Sequence, residues 1–158
     1  METTWLIAAN RTRARILEVR ALNETPREAA VFVNPVARTH ERDLDSDAAG
    51  RFYGKGERQQ GHAAAPSEDF SDRETERFVN DVRDHLERGR NEHRFERLWV
   101  IASPAVLGLL RRACPKPLQQ RVEFEVAKDL TMERPEEIFR QALAARDARA
   151  DQAKRKRG

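Results

Sequence analysis

Two uninterrupted apolar runs, residues 5–9 and 98–102, constrain the fold more than any other feature of this chain. A strand with one face in solvent alternates apolar and polar residues, whereas a strand covered on both faces is apolar throughout. Each run has the length of a single strand and is far too short for a membrane span. The two runs therefore predict the central strands of a sheet that carries helices on both sides.

The first third of the chain predicts three antiparallel strands. A polar turn, residues 10–12, follows the first apolar run, and residues 14–21 then form a mostly alternating strand. A second turn leads to a short apolar strand, residues 29–33, which Pro35 stops. This third strand is expected at an edge of the sheet.

Beyond residue 70 the apolar pattern becomes helical. Ser71 and Glu74 form a capping box, and the apolar stripe that follows predicts a helix ending at Gly89. Pro104 and Pro135 stand at the first position of two further helices. Between those helices, alternation over residues 122–126 predicts a half-exposed strand near the other sheet edge.

The order of these elements is that of the ribonuclease H-like architecture. The chain is expected to form an α/β fold with a mixed five-stranded sheet in the order 3-2-1-4-5 and helices on its faces. At 158 residues, one domain is expected, covering residues 1–150. Residues 151–158 are expected to be a basic disordered tail. Four positive charges lie in it, on Lys154, Arg155, Lys156 and Arg157, whereas the formal net charge of the whole chain is +3.

Composition points to a cytoplasmic protein. Cys114 is the single cysteine, so an intramolecular disulfide is excluded and a role as small core filler is expected. No membrane span is predicted, and the first residues lack the basic lead and cleavage site of a secretory signal.

The candidate site is the long connection of residues 34–70, which has almost no apolar periodicity. Connections this long in a compact domain are typically functional or disordered. Its candidate binding residues are Arg38, His40, Arg42, Asp43, Arg51, Phe52 and His62. Arginines beside aromatics suit RNA phosphates and bases, or an acidic protein surface. The acidic residues of the connection could instead neutralise these cations, and that alternative stays open.

The residues offer no complete catalytic constellation. A two-metal nuclease on this fold needs carboxylates on the first and fourth strands, and both lack them, so Asp81 and Asp84 on the first helix would have no partners. Residues 43–47 begin like a calcium loop, but the glycine and the glutamate that the loop requires are missing. We therefore expect no catalytic residue, no metal site and no cofactor.

Several segments, in order along the chain, resemble the bacterial family of proteins required for attachment to host cells. They are residues 5–10, 14–17, 41–47, 50–52, 61–63, 95–98, 104–110 and 128–131. The resemblance implies the mixed-sheet fold and adds Lys128 and Asp129 to the candidate binding residues. It also implies a role in attachment, which for a chain without an export signal would be indirect, through regulation or translation.

This family is similar in turn to the middle domain of eukaryotic and archaeal class-one peptide-chain release factors. That domain carries Gly-Gly-Gln in the loop before its first helix, whereas the nearest string here is residues 59–62, QQGH. We therefore expect a non-enzymatic binding protein with the ribosome or RNA as partner. The alternative is a hydrolase of RNA or peptidyl-tRNA that uses loop residues such as His62. The oligomeric state stays open.

Overall fold

The structure is a computed structural model that describes residues 2–37 and 64–157. Within these residues, the elements are β1 Thr4–Ala9, β2 Arg13–Val19, β3 Arg27–Val33, α1 Ala64–Asn91, β4 Arg97–Ala102, α2 Pro104–Ala113, α3 Lys116–Gln119, β5 Val122–Ala127 and α4 Pro135–Arg157. The element order agrees with the order predicted from the sequence, except that the short helix α3 was not predicted. The second strand ends at Val19, two residues earlier than predicted.

The five strands form one mixed sheet in the order β3-β2-β1-β4-β5. β1 pairs antiparallel with β2, where Ile7 lies opposite Ile16, and parallel with β4, where Ile7 lies opposite Val100. β4 pairs parallel with β5, and β2 pairs antiparallel with β3. The predicted strand order is confirmed, including the central position of the two apolar runs and the edge positions of β3 and β5.

Both faces of the central strands are covered. Every residue of β1 is buried, and its side chains alternate between two cores. Trp5 and Ile7 face α1, α2 and α3, while Leu6 and Ala8 face α4. This double cover explains why β1 and β4 tolerate no polar side chain in their interiors.

The indole of Trp5 is the centre of the core under α1. Its ring stacks on Phe95 with centroids 4.7 Å apart and on His85 at 5.4 Å. Its Nε1 donates a hydrogen bond of 3.4 Å to the buried carboxylate of Glu18, the residue opposite Trp5 on β2. Gly89 leaves the room for this ring, because a Cβ atom there would lie 2.6 Å from Trp5 Cη2.

His85 serves as a packing residue in this core. It also meets the ring of Phe32 edge-on, with centroids 5.2 Å apart. Burial, followed by the charge of Arg88, lowers the pKa of His85 below the usual histidine value. The imidazole therefore behaves as a neutral aromatic ring at neutral pH.

The bounds of α1 differ from the prediction at both ends. The helix begins at Ala64, so that Ser71 lies inside it and accepts a hydrogen bond of 2.9 Å from the Thr75 hydroxyl. Gly89 is not the C-cap but a helical residue that packs on Trp5. The chain turns at His93, whose φ is +57°. Tertiary packing against Trp5 has replaced the capping role that local sequence suggested for this glycine.

The final helix also differs from expectation. α4 continues to Arg157, so residues 151–157, expected to be disordered, are helical. Only its first half carries buried residues, namely Ile138, Phe139 and Ala142.

Gly89→Ala is expected to lower the free energy of unfolding by about 1–3 kcal/mol, because the added methyl group overpacks the core against Trp5. Gly108→Ala in α2 is the matched control. The nearest atom to its new methyl group, an Arg112 nitrogen, is 3.8 Å away, so helix propensity should raise stability by up to about 1 kcal/mol. Urea unfolding measures both, and equal effects would contradict the packing role of Gly89.

Candidate functional site at the carboxyl edge of the sheet

β1, β3, β4 and β5 all run in one direction, so their carboxyl ends meet at one edge of the sheet, which we call the carboxyl edge. A polar residue follows each of these strands, namely Asn10, Asn34, Ser103 and Lys128. In open α/β sheets this edge is where ligands bind. The first end of the 34–70 connection adjoins it, since Asn34 follows β3. Residues 64–70 of the connection belong to α1, and Asp72 in the same helix contacts Arg11 at this edge.

Asn10 is the hub of the carboxyl edge. Its side-chain amide nitrogen donates to Asp129 Oδ2 at 2.9 Å and to Thr131 Oγ1 at 3.0 Å. Its side-chain oxygen accepts the backbone N–H groups of Thr12 at 2.8 Å and Arg13 at 2.9 Å. One side chain therefore holds the β1–β2 turn and ties it to the segment after β5.

Asp129 is held as an ionised carboxylate by its neighbours. Its Oδ1 accepts the backbone N–H of Thr131 at 3.0 Å and the Thr131 hydroxyl at 2.7 Å. Partial burial alone would raise the pKa of Asp129, but the hydrogen bonds from Asn10 and Thr131 and the charge of Arg13 outweigh it and lower the pKa. Such a carboxylate is suited to positioning rather than to proton transfer at neutral pH.

Asn34 repeats this arrangement at the end of β3. The residue is buried, its Nδ2 donates to the Arg11 carbonyl at 3.0 Å, and its Oδ1 accepts the Ala37 N–H at 3.4 Å. Its backbone N–H donates to the Thr12 carbonyl at 2.7 Å. The two asparagines thus fix the β1–β2 turn from both sides.

Arg15 fastens the segment after β5 to the other half of the sheet. Its guanidinium donates to the Glu28 carboxylate at 2.6 and 3.0 Å and to the carbonyls of Thr131 at 2.9 Å and Glu133 at 2.6 Å. The side chain is only 13% exposed, so this cation is structural.

Other cations of the edge reach solvent. Arg11 forms an exposed ion pair with Asp72 at 3.4 Å, which contributes little to stability because water screens it. Lys128 is exposed, and its Nζ donates to Gln141 Oε1 at 2.9 Å. Arg13, half-buried, adds a third positive charge at this edge. The described part of the carboxyl edge therefore presents cations around a rigid hydrogen-bonded centre.

Reactive groups elsewhere in the described residues serve packing. Cys114 is half-buried against the core under α1, and burial raises its thiol pKa to about 11. This supports the expected role as core filler, because a thiol with so high a pKa is a poor nucleophile. Among residues 2–37 and 64–157, no group of three or more His, Cys, Asp or Glu is arranged to hold a metal ion.

The sequence-predicted site residues divide into two groups. Lys128 and Asp129 lie together at the carboxyl edge. The others, which are Arg38, His40, Arg42, Asp43, Arg51, Phe52 and His62, lie outside the described residues. Sequence reasoning missed the central role of Asn10 and its partner Thr131. An asparagine directly after a buried strand, and a threonine two residues after Asp129, were the available signals.

The fold and this edge describe an α/β domain whose polar edge residues are fixed by hydrogen bonds. Residues 5–141 match the family model described as "Protein required for attachment to host cells". The chain belongs to this family. No curated protein matches its sequence. Within the described residues, no helix is long and apolar enough to cross a membrane.

Asn10→Asp is expected to lower the free energy of unfolding at pH 7 by about 1–3 kcal/mol, because a hydrogen-bond donor becomes a second carboxylate beside Asp129. Repulsion raises the pKa of the introduced pair above the unfolded value. The folded variant then gains a proton before the unfolded chain does, and the deficit shrinks as the pH falls from 7 towards 5.

The control is Asn10→Ala, which removes the same hydrogen bonds without adding a charge. Its deficit should stay constant over this pH window, since Asp129 remains ionised there. Urea unfolding at several pH values measures both variants. A pH-independent deficit for Asn10→Asp would contradict the contact between residues 10 and 129.

Proposed function

We propose that this member of the host-attachment family is a non-enzymatic protein that binds RNA, on the ribosome or free, at the carboxyl edge and through the adjoining 34–70 connection. The observation that carries the proposal is the collection of cations at this edge, Arg11, Arg13 and Lys128, around a hydrogen-bonded centre. RNA phosphates are recognised by positive side chains, together with aromatic residues that stack on bases. The connection supplies further arginines and Phe52.

A binding role, rather than a hydrolytic one, agrees with the state of the polar groups. The amide of Asn10 uses both its nitrogen and its oxygen in structural hydrogen bonds, and Asp129 is ionised and bonded on both carboxylate oxygens. A general base needs a pKa near the working pH and an accessible lone pair. Asp129 does not meet the first condition, because its pKa lies below the usual aspartate value.

The attachment role of the family then follows indirectly. An RNA-binding protein in the cytoplasm would affect attachment by changing the synthesis of surface components. The likeness to the release-factor middle domain favours the translation machinery as the place where this binding occurs, although the Gly-Gly-Gln string of that domain is absent from the sequence.

Replacing Arg42 and Arg51 with alanine is expected to weaken binding of a short labelled RNA hairpin with a single-stranded loop. Each phosphate contact that is lost should reduce the slope of log K against log salt by about 0.7–0.9. Fluorescence anisotropy over a series of salt concentrations measures the slope.

The matched control is the double variant Arg88→Ala with Arg112→Ala, which removes two exposed charges from α1 and α2. It should retain the parent slope. If the Arg42 and Arg51 variant binds the hairpin as tightly as the parent does, the connection is not the RNA-binding surface. Cleavage of the hairpin by the parent that is lost in His62→Ala would favour the hydrolase.

A further inference from the structure

The second half of α4 is a helix without a core beneath it. Every residue from Asp147 to Arg157 is exposed, whereas the first half of α4 packs on the sheet through Ile138 and Phe139. We call residues 146–157 the arm. The family match ends at residue 141, so the arm lies beyond the part of the chain that the family describes.

The arm leaves the body at the edge opposite to the carboxyl edge. α4 begins shortly after the carboxyl end of β5, and by Arg146 it has reached Trp99 near the start of β4. The guanidinium carbon of Arg146 lies 5.9 Å from the Trp99 ring centroid, a cation–π contact that anchors the root of the arm. A strand of six residues separates the two edges by about 20 Å.

Both acidic residues of the arm lie on one side of the helix, whereas four of its six basic residues lie on the other; Lys154 and Arg155 are on the acidic side. Residues three, four and seven apart share a helix face, and the stripe that is buried over the sheet continues into a set of basic and small residues. This set, the cationic face, consists of Arg146, Arg149, Ala150, Ala153, Lys156 and Arg157. Asp147, Asp151 and Arg155, each four residues apart, lie on the opposite side.

The helix dipole does not account for this arrangement. Basic residues in the last turn favour a helix C-terminus, but that effect is confined to one turn and does not depend on the face. Arg149 lies two turns from Arg157 and still belongs to the same stripe. In the described part of the chain, no ion pair is recorded for Arg149, Lys156 or Arg157; the recorded pair of the arm joins Arg146 to Asp147 at 3.2 Å.

The arm has no aromatic or large aliphatic residue, and this absence indicates the kind of partner it can bind. Helices that lie on membranes carry Trp, Phe or Leu opposite their charges, and the arm has alanine as its largest apolar residue. Protein interfaces depend on aromatic or large aliphatic anchors, which are also missing. Cations separated by alanines allow close approach of a regular series of negative charges, such as the phosphates of a nucleic acid.

We propose that the cationic face of the arm is a second RNA-binding surface, which holds the phosphate backbone independently of base sequence. The proposal rests on the proposed function in one respect, the choice of RNA as the partner. The arm and the carboxyl edge lie at opposite ends of the sheet, so the protein contacts one RNA at two separate places.

The test compares single substitutions that each remove one positive charge from the arm. Arg149→Gln and Lys156→Gln alter the cationic face, and Arg155→Gln is the matched control on the opposite side. Glutamine keeps helix propensity close to that of Arg and Lys, and far-UV circular dichroism checks that helicity is unchanged. Binding of the same RNA hairpin is measured over a salt series, with phosphatidylserine vesicles and a DNA hairpin as separate probes.

Arg149→Gln and Lys156→Gln should each weaken RNA binding about fivefold to tenfold near 0.1 M salt and reduce the salt slope by about 0.7–0.9. Arg155→Gln should have a clearly smaller effect. Equal effects of all three variants would overturn the proposal, because net charge alone would then explain the binding. Parent-like RNA binding by the two face variants would also overturn it, including when their binding to vesicles or DNA is reduced.

The Arg42→Ala, Arg51→Ala variant separates this proposal from the proposed function. If that variant binds RNA like the parent while the face variants bind weakly, the connection is not an RNA-binding site and the proposal for the arm is supported. If only the connection variant binds RNA weakly, the proposal for the arm is refuted and the proposed function is retained. If the parent binds no RNA hairpin, both proposals fail.

Discussion

The contact between Trp5 and Gly89 is the constraint on which the arrangement of α1 depends. A large ring on β1 requires a helix position without a side chain, and Gly89 is that position. Stacking of the same ring on Phe95 and His85 fixes α1 in rotation as well as in distance. Because α1 is one continuous helix of 28 residues, holding its last turns over β1 also constrains where its earlier turns lie, and Asp72 contacts Arg11 in the turn after β1. The packing of one indole thereby sets the position of the helix that borders the carboxyl edge.

The sheet separates two polar regions that have different physical characters. At the carboxyl edge, polar side chains bond one another, and Asn10, Asp129 and Thr131 form a closed network. Such a network makes the edge rigid. On the arm, by contrast, the side chains from Asp147 onward are solvated, and both aspartates lie off the cationic face. Rigid polar centres favour defined contacts, whereas solvated cations favour contacts that depend on charge and on salt. Under the proposed function, the two surfaces would supply complementary parts of one binding reaction.

Local sequence signals succeeded where burial was complete and failed where packing competed with local preference. The two apolar runs correctly predicted β1 and β4 as neighbours, since no other position in a sheet accepts a strand that is apolar on both faces. The capping box at Ser71 was wrong, because α1 starts earlier and Ser71 lies inside it. The predicted helix end at Gly89 was also wrong. The sequence alone does not distinguish a glycine that ends a helix from a glycine that makes room for a tryptophan ring on a neighbouring strand. The helical state of residues 151–157 was missed, since their composition resembles that of disordered segments.

The sequence by itself determined the element order, the strand order and the two edge strands, because apolar periodicity reports burial directly and the rules of connection leave few topologies. It also indicated the family, through segments spread along the chain. The tertiary structure alone decided which polar residues meet. Asn10 and Asp129 are 119 positions apart, and only the parallel pairing of β1, β4 and β5 brings the ends of these strands to one edge. It likewise decided that the buried stripe of α4 continues as a cationic face. The first half of this stripe packs on the sheet, and the second half extends beyond the sheet into solvent.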